Sequence, residues 1–230
     1  MDPLFKVKEA SNNKLIPKSL SNTIEKKMKN VKDGINQVEK ASGLKYPPYY
    51  IEPQLFVAED QQEFSDIGVL YARTVPIEFS SKLEIWIQIS APLIAFGVKT
   101  TVRAVLAHEF LHYVELSRRF MEFDISSNEM HTSLLEASHR DQESLIPPAR
   151  IFSDKKLIKL VNKKLPNGLI DEKLQNNTAK KWLDKNLPHV NISTQENAVN
   201  ISASIIPSFN FDPKLKSKLE EIERSSLKIA

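Results

Sequence analysis

The feature that most constrains the fold is a change of hydrophobic period between residues 83 and 123. Over residues 83–89 apolar side chains alternate with polar or aromatic ones, which predicts a strand with one buried face. From residue 99 to residue 123 the apolar positions recur every three or four residues, with no Gly or Pro among them. That spacing predicts one long amphipathic helix. A strand followed by such a helix indicates an α+β domain.

The segments before residue 83 are also predicted to contain both helix and strand. Helical spacing of apolar residues over 19–42 predicts an N-terminal helix, and Gly43 is a plausible stop signal for it. Residues 55–58 and 74–79 are predicted to be strands. The short connection at residues 80–82 predicts a hairpin between the second of these and the strand over 83–89.

Segments after residue 123 are predicted to be mostly helical. Ser126 and Glu129 are spaced as in a capping box, and Pro147 breaks the pattern, so a second helix is predicted over residues 127–145. It should form an antiparallel hairpin with the helix over 99–123. Further predicted elements are helices over residues 155–164, 171–186 and 214–227, and an alternating segment over 199–205 that would add a strand to a sheet edge.

Together these patterns predict an α+β fold in which a small, mostly antiparallel sheet lies on a helix hairpin, with helical N- and C-terminal extensions. The corresponding division places an N-terminal helical extension at residues 1–45 and a core at residues 46–150. A C-terminal helical subdomain follows at residues 151–230.

Composition excludes several classes of protein. The 230 residues contain no Cys, which excludes disulfides and Cys-ligated metal sites, and the five Gly form no phosphate-binding loop of the P-loop or Rossmann type. A net charge of +3 gives no indication of nucleic acid as a partner. No apolar stretch is long enough to span a membrane, and the N-terminus lacks the pattern of a secretory signal. We therefore expect a cytoplasmic protein with no membrane partner.

Residues 108–112 form an H-E-x-x-H motif in the middle of the predicted long helix. His108 and His112 are one turn apart on the same face, so both imidazoles can bind one ion. Glu109 lies on the adjacent side, where it can take a proton from a water that the metal activates. Zn²⁺ suits these ligands, because it binds neutral imidazole and lowers the pKa of water to near 7. The alternative is a pair of histidines on a solvated helix face.

Two strings of residues resemble a known family. Residues 87–94 (IQISAPLI) and 105–114 (VLAHEFLHYV) resemble the edge strand and the active-site helix of the zincin metallopeptidases. The resemblance covers roughly residues 50–147 and implies a zinc metallopeptidase in which His108 and His112 bind the metal and Glu109 is the general base. It further implies that the strand over 83–89 holds an extended peptide or protein substrate by strand addition.

The third zinc ligand depends on the subfamily. The metzincin pattern is excluded, because Glu115 and Arg118 stand where that motif requires Gly and His. In gluzincins the third ligand is a Glu from a following helix. If the predicted hairpin turns near residue 125, Glu136 is within one turn of the level of the histidines, so Glu136 is the predicted ligand. Three other candidates stay open, namely His139, Glu143 and Glu129.

Several roles and two other classes of function also stay open. The oxyanion donor is one of Tyr113, His131, Tyr71 and His189. Asp141 is a candidate to orient a ligand, and Glu115 either supports a ligand or pairs with Arg118 or Arg119. A carboxylate-bridged di-iron protein would use Glu109 and His112 together with Glu136 and His139. A non-catalytic scaffold that binds a protein partner is the second alternative, and the oligomeric state is left open.

Overall fold

The computed structural model shows an α+β protein with helices and two small mixed sheets. The structure describes residues 1–58, 68–122, 145–166, 168–192 and 203–227. Within these ranges the helices are α1 (Phe5–Asn12), α2 (Lys18–Ser42), α3 (Ala91–Phe96), α4 (Lys99–Glu122), α5 (Pro148–Ile151), α6 (Lys155–Lys164), α7 (Glu172–Thr178) and α8 (Pro213–Leu227). A π-helical turn (Ala179–Leu183) continues α7, and a 3₁₀ helix (Ala203–Ser208) precedes α8.

The strands form two sheets of three. They are β1 (Tyr49–Glu52), β2 (Leu55–Ala58), β3 (Gly68–Leu70), β4 (Ala72–Phe79), β5 (Lys82–Ser90) and β6 (His189–Ile192). The first sheet has the order β1-β5-β4 and the second β3-β2-β6. Each sheet contains one parallel and one antiparallel pair of strands. The prediction of a mostly antiparallel sheet is therefore wrong in this respect, because the segment between β1 and β5 is long enough for a parallel crossover.

The predicted hairpin is confirmed as β4–β5. Its two turn residues, Ser80 and Ser81, both have positive φ angles, 50° and 57°, as a tight turn between right-twisted strands requires. The alternation over residues 83–89 also holds, because in this range the odd-numbered side chains are buried and the even-numbered ones are only partly buried.

The expectation that the strand over residues 83–89 lies at a sheet edge is wrong. β5 is the central strand, since it pairs in parallel with β1 and antiparallel with β4. Among the described residues this sheet has two edge strands, β1 and β4. The N-terminal segment contacts β1, where the main-chain N–H of Ile51 donates to the main-chain oxygen of Pro3 at 2.8 Å.

The predicted helices that lie in the described ranges are confirmed, except that the one predicted over 171–186 ends at Leu183, as α7 and the π-helical turn. α2, α4, α6 and α8 match the predictions within a few residues, and α2 ends at Gly43, whose φ of 73° gives a left-handed cap. The predicted strand over 199–205 is wrong for the residues described there, since Ile205 and Ile206 are both buried in the 3₁₀ helix and a strand would place them on opposite faces. The predicted second helix falls outside the described residues, apart from its last position.

The hydrophobic core joins the N-terminal helices to the sheet and to α4. Ile24 and Val31 of α2 are fully buried in one cluster with Ile87 of β5 and Leu106 of α4. A second cluster packs the end of α2 against α4, α6 and α8. The division at residues 45 and 150 stays a prediction, and both boundaries are crossed by buried contacts. In the described ranges, no helix is both long and apolar enough to cross a membrane.

Candidate functional site

The two histidines of the motif lie side by side near the middle of α4. Their Nε2 atoms are 3.0 Å apart, and the rings are nearly perpendicular, at 87°. Two nitrogens bound to one zinc ion lie at most about 4 Å apart, because each Zn–N bond is about 2.0–2.1 Å long. The side chains of His108 and His112 are thus close enough to share an ion.

Both rings are half-buried, and this burial controls their protonation. Burial and the neighbouring His112 lower the pKa of His108 to about 3. Burial and the charge of Arg119 lower the pKa of His112 to about 4. Both imidazoles are therefore neutral at pH 7, which is the form that binds metals. Without a metal, the 3.0 Å contact is an N–H···N hydrogen bond when the two rings adopt different tautomers.

Glu109 is buried between α4 and the sheet, with only 6% of its surface exposed. The hydroxyl of Thr74, on β4, lies 2.9 Å from its Oε2 atom and 3.0 Å from its main-chain oxygen. Burial raises the pKa of Glu109 to about 7, and the hydrogen bond from Thr74 opposes that rise. A carboxyl group with this pKa can exchange a proton near neutral pH.

The face of α4 beside the motif is fixed by aromatic packing. Tyr46 stacks on Phe110 with ring centroids 5.6 Å apart, and its hydroxyl donates to the main-chain oxygen of Leu106 at 3.0 Å. Burial and the carboxylate of Glu109 hold the pKa of Tyr46 well above its usual range. These contacts hold the helix at the turn that carries His108 and Glu109.

The predicted third ligand lies outside the described residues. Glu136 falls there, as do the alternatives His139, Glu143 and Glu129 and the candidate orienting residue Asp141. Within the described ranges no three His, Asp or Glu side chains are grouped in a way that would hold a metal ion. The part of the site that the structure describes is therefore two imidazoles and one carboxyl group.

The remaining candidates have other contacts. Tyr71 donates its hydroxyl to Thr178 at 3.1 Å, and Nδ1 of His189 lies 2.8 Å from the main-chain oxygen of Leu187, so these atoms have partners away from the motif. Tyr113 is on α4, where burial and Asp212 raise its pKa to about 12, and His131 lies outside the described residues.

Glu115 was predicted either to support a metal ligand or to pair with Arg118 or Arg119, and in the structure it pairs with both arginines. Its carboxylate is buried, with the side chain 4% exposed, and pairs with Arg118 at 2.7 Å and with Arg119 at 3.4 Å. Glu115 thus contacts two of the three arginines of its own helix.

The sequence interpretation missed Thr74 and Tyr46. For Thr74 a signal was present, because the hairpin register places residue 74 opposite Ile87, on the side of the sheet that buries its side chains. A hydroxyl at such a position needs a hydrogen-bond partner. Tyr46 had no comparable signal, since its contacts with α4 join residues about 60 positions apart.

No protein-family model, no curated protein and no solved structure matches this chain.

Proposed function

We propose that this protein is a zinc-dependent metallopeptidase of the gluzincin-like kind, in which Glu109 is the general base. The observation that carries the proposal is the 3.0 Å approach of the His108 and His112 Nε2 atoms beside a buried carboxyl group. Two neutral imidazoles and an adjacent acid with a pKa of about 7 suit the activation of water.

His108 and His112 fit a zinc ion in their chemistry and supply two of the three protein ligands of a catalytic zinc site. His108 and His112 would hold the ion, and Glu136 is the proposed third ligand. When bound, zinc supplies a positive charge that polarises the substrate carbonyl and makes water more acidic.

Glu109 would perform the proton transfers of the reaction. Its carboxylate accepts a proton from the attacking water, and the resulting acid returns that proton to the amine released from the peptide. Burial assists both steps, because a pKa near neutrality makes each direction of transfer accessible. The cost of burying this carboxyl is reduced by the hydrogen bond from Thr74.

The outer edge of β4 is the proposed binding strand for the peptide. It replaces the strand over residues 83–89 in this role, because β5 already has partners on both sides. An extended peptide would pair with the main chain of β4 next to Glu109, which contacts this strand through Thr74.

The di-iron alternative has less support. Such a centre lies among four long helices, whereas Glu109 contacts a β-strand. We also propose that the protein is cytoplasmic, as expected from the sequence.

Metal analysis of protein purified without chelators or an affinity tag tests the metal site. The wild type is expected to hold about one zinc per chain, and His108→Ala or His112→Ala should lose it. His189→Ala is the matched control, because this histidine lies on β6 in the second sheet. Full zinc content in both motif variants, or stoichiometric iron in the wild type, would contradict the proposal.

Glu109→Gln tests the reaction. We expect zinc content and the unfolding midpoint to stay close to those of the wild type, and turnover of a long peptide or an unfolded protein to fall about 10²- to 10⁴-fold. Undiminished turnover by the zinc-loaded variant would refute Glu109 as the base.

A further inference from the structure

The Thr74 hydroxyl lies 2.9 Å from Oε2 of Glu109 and 3.0 Å from the main-chain oxygen of the same residue. We propose that Thr74 is a positioning residue, which orients the Glu109 carboxylate towards the attacking water. This inference rests on the proposed function, because it gives a base its orientation.

The sheet fixes where the Thr74 hydroxyl lies. β4 and β5 pair over eight residues from Ala72 to Phe79, and Thr74 faces Ile87 within this ladder. Four residues of β4 share the side that faces the helix: Ala72, Thr74, Pro76 and Glu78. Thr74 is the only one of them that bears a hydroxyl. A donor in the middle of a paired hairpin holds its position better than one on a loop.

The two contacts of this hydroxyl constrain one side chain. A Glu side chain has three rotatable bonds and gains freedom when it has no partner. Because the hydroxyl is close both to the carboxyl group and to the main-chain oxygen of Glu109, it ties the end of the side chain to its own helical turn. A general base must come within about 3 Å of the atom whose proton it takes, and a displacement of about 1 Å can reduce the rate about 10²-fold.

The main-chain groups of Thr74 also point towards the proposed substrate. Ser90 donates to the main-chain oxygen of Tyr71, so odd-numbered residues of β4 exchange hydrogen bonds with β5 and even-numbered ones direct their main-chain groups outwards. At Pro76 the outer edge lacks an N–H group. Thr74 therefore offers its main chain to a paired peptide and its side chain to the base. Loss of the hydroxyl alone should lower kcat and leave KM nearly unchanged.

Two substitutions separate the hydroxyl from the shape of the side chain. Thr74→Val keeps the shape and removes the donor, and Thr74→Ser keeps the donor. We expect Thr74→Val to lower kcat roughly 10- to 100-fold, with KM within about twofold and zinc content unchanged. Thr74→Ser should recover most of the turnover. In a Glu109→Gln background, Thr74→Val should have no further effect, because the base is already absent.

Thr101→Val is the matched control. Thr101 is also a buried threonine whose hydroxyl donates to a carboxylate, that of Asp171, and it lies on α4 two turns before Glu109. Its substitution should lower the unfolding midpoint and leave kcat unchanged. Equal losses of kcat in Thr74→Val and Thr74→Ser, or a further loss in the Glu109→Gln background, would overturn the positioning role.

A readout that needs no turnover tests the contact itself. In protein with ¹³C-labelled glutamate carboxyl groups, Glu109→Gln removes one of 19 Glu signals and so assigns it. Thr74→Val should shift that signal, and Thr101→Val should leave it in place. An unshifted signal overturns the inference even if the enzyme is active. If the signal shifts and the zinc-loaded wild type hydrolyses no peptide, the proposed function is wrong, and the positioning role falls with it.

Discussion

Burial displaces the pKa values of Glu109 and the two motif histidines in opposite directions. Removal from water disfavours the charged form, so the pKa of Glu109 rises to about 7 while those of His108 and His112 fall to about 3 and 4. The same low-polarity surroundings thus leave two neutral ligands and one group able to exchange protons. Such divergence between neighbouring groups is typical of sites that perform acid–base chemistry.

Single substitutions test the identity of the third zinc ligand. We expect Glu136→Ala to weaken zinc binding far more than Glu129→Ala, because only Glu136 is level with the histidines across the predicted helix hairpin. Competition with a chromogenic chelator measures the affinities, and His139→Ala and Glu143→Ala belong in the same series. If zinc is lost from Glu129→Ala and kept by Glu136→Ala, the predicted register of the hairpin is wrong.

Among the elements, the start of α7 is joined to the start of α4 by one carboxylate. Asp171 accepts a hydrogen bond from the main chain of Leu174 at 3.0 Å as the N-cap of α7. It also accepts one from Thr101 and pairs with Lys164 at 3.1 Å. Burial opposes ionisation of Asp171, but these partners outweigh it and hold its pKa below the ordinary value of 3.8.

A dependence of stability on pH follows from this carboxylate. Between the lowered pKa of the folded state and 3.8, the unfolded chain binds more protons, so the free energy of unfolding falls as the pH drops through that window. Asp171→Asn should be less stable at pH 7 by roughly 1–3 kcal/mol. The difference should shrink as the pH falls below about 4. Urea unfolding of both proteins from pH 3 to pH 7 measures this.

Asp33→Asn is the control for that series. Asp33 also has a lowered pKa, through Lys99, but both side chains are about half exposed. An exposed pair contributes little to stability. A constant difference between Asp171→Asn and the wild type across the whole pH range would show that the charge of Asp171 has no part in the effect.

For the whole molecule, the N-terminal helices are part of the core that supports α4. Ile24 is fully buried among residues of the sheet and α4, although residues 1–45 were predicted to be an extension. Ile24→Ala should lower the free energy of unfolding by about 2–5 kcal/mol. Leu15→Ala, at a position 57% exposed, should change it by no more than about 0.5 kcal/mol. Denaturant unfolding measures both free energies. If Ile24→Ala lowers the free energy of unfolding as little as Leu15→Ala, the N-terminal helices do not stabilise the core.

The sequence by itself determined several of the longer elements, because their patterns depend on neighbouring residues alone. Apolar spacing set α2 and α4, alternation set β5, and the short connection at Ser80 and Ser81 set the hairpin. The motif within α4 also follows from spacing, since residues four apart on a helix share a face. These predictions needed no knowledge of distant contacts.

Only the tertiary structure decided which elements meet. It placed β1 beside β5, and so made β5 the central strand and left β4 at an edge of the sheet in the described part of the chain. It also brought Thr74 to Glu109 across 35 positions and buried Ile24 beside the sheet. Such pairings depend on how whole hydrophobic faces are covered, and the local period of a segment is the same whichever neighbour covers it.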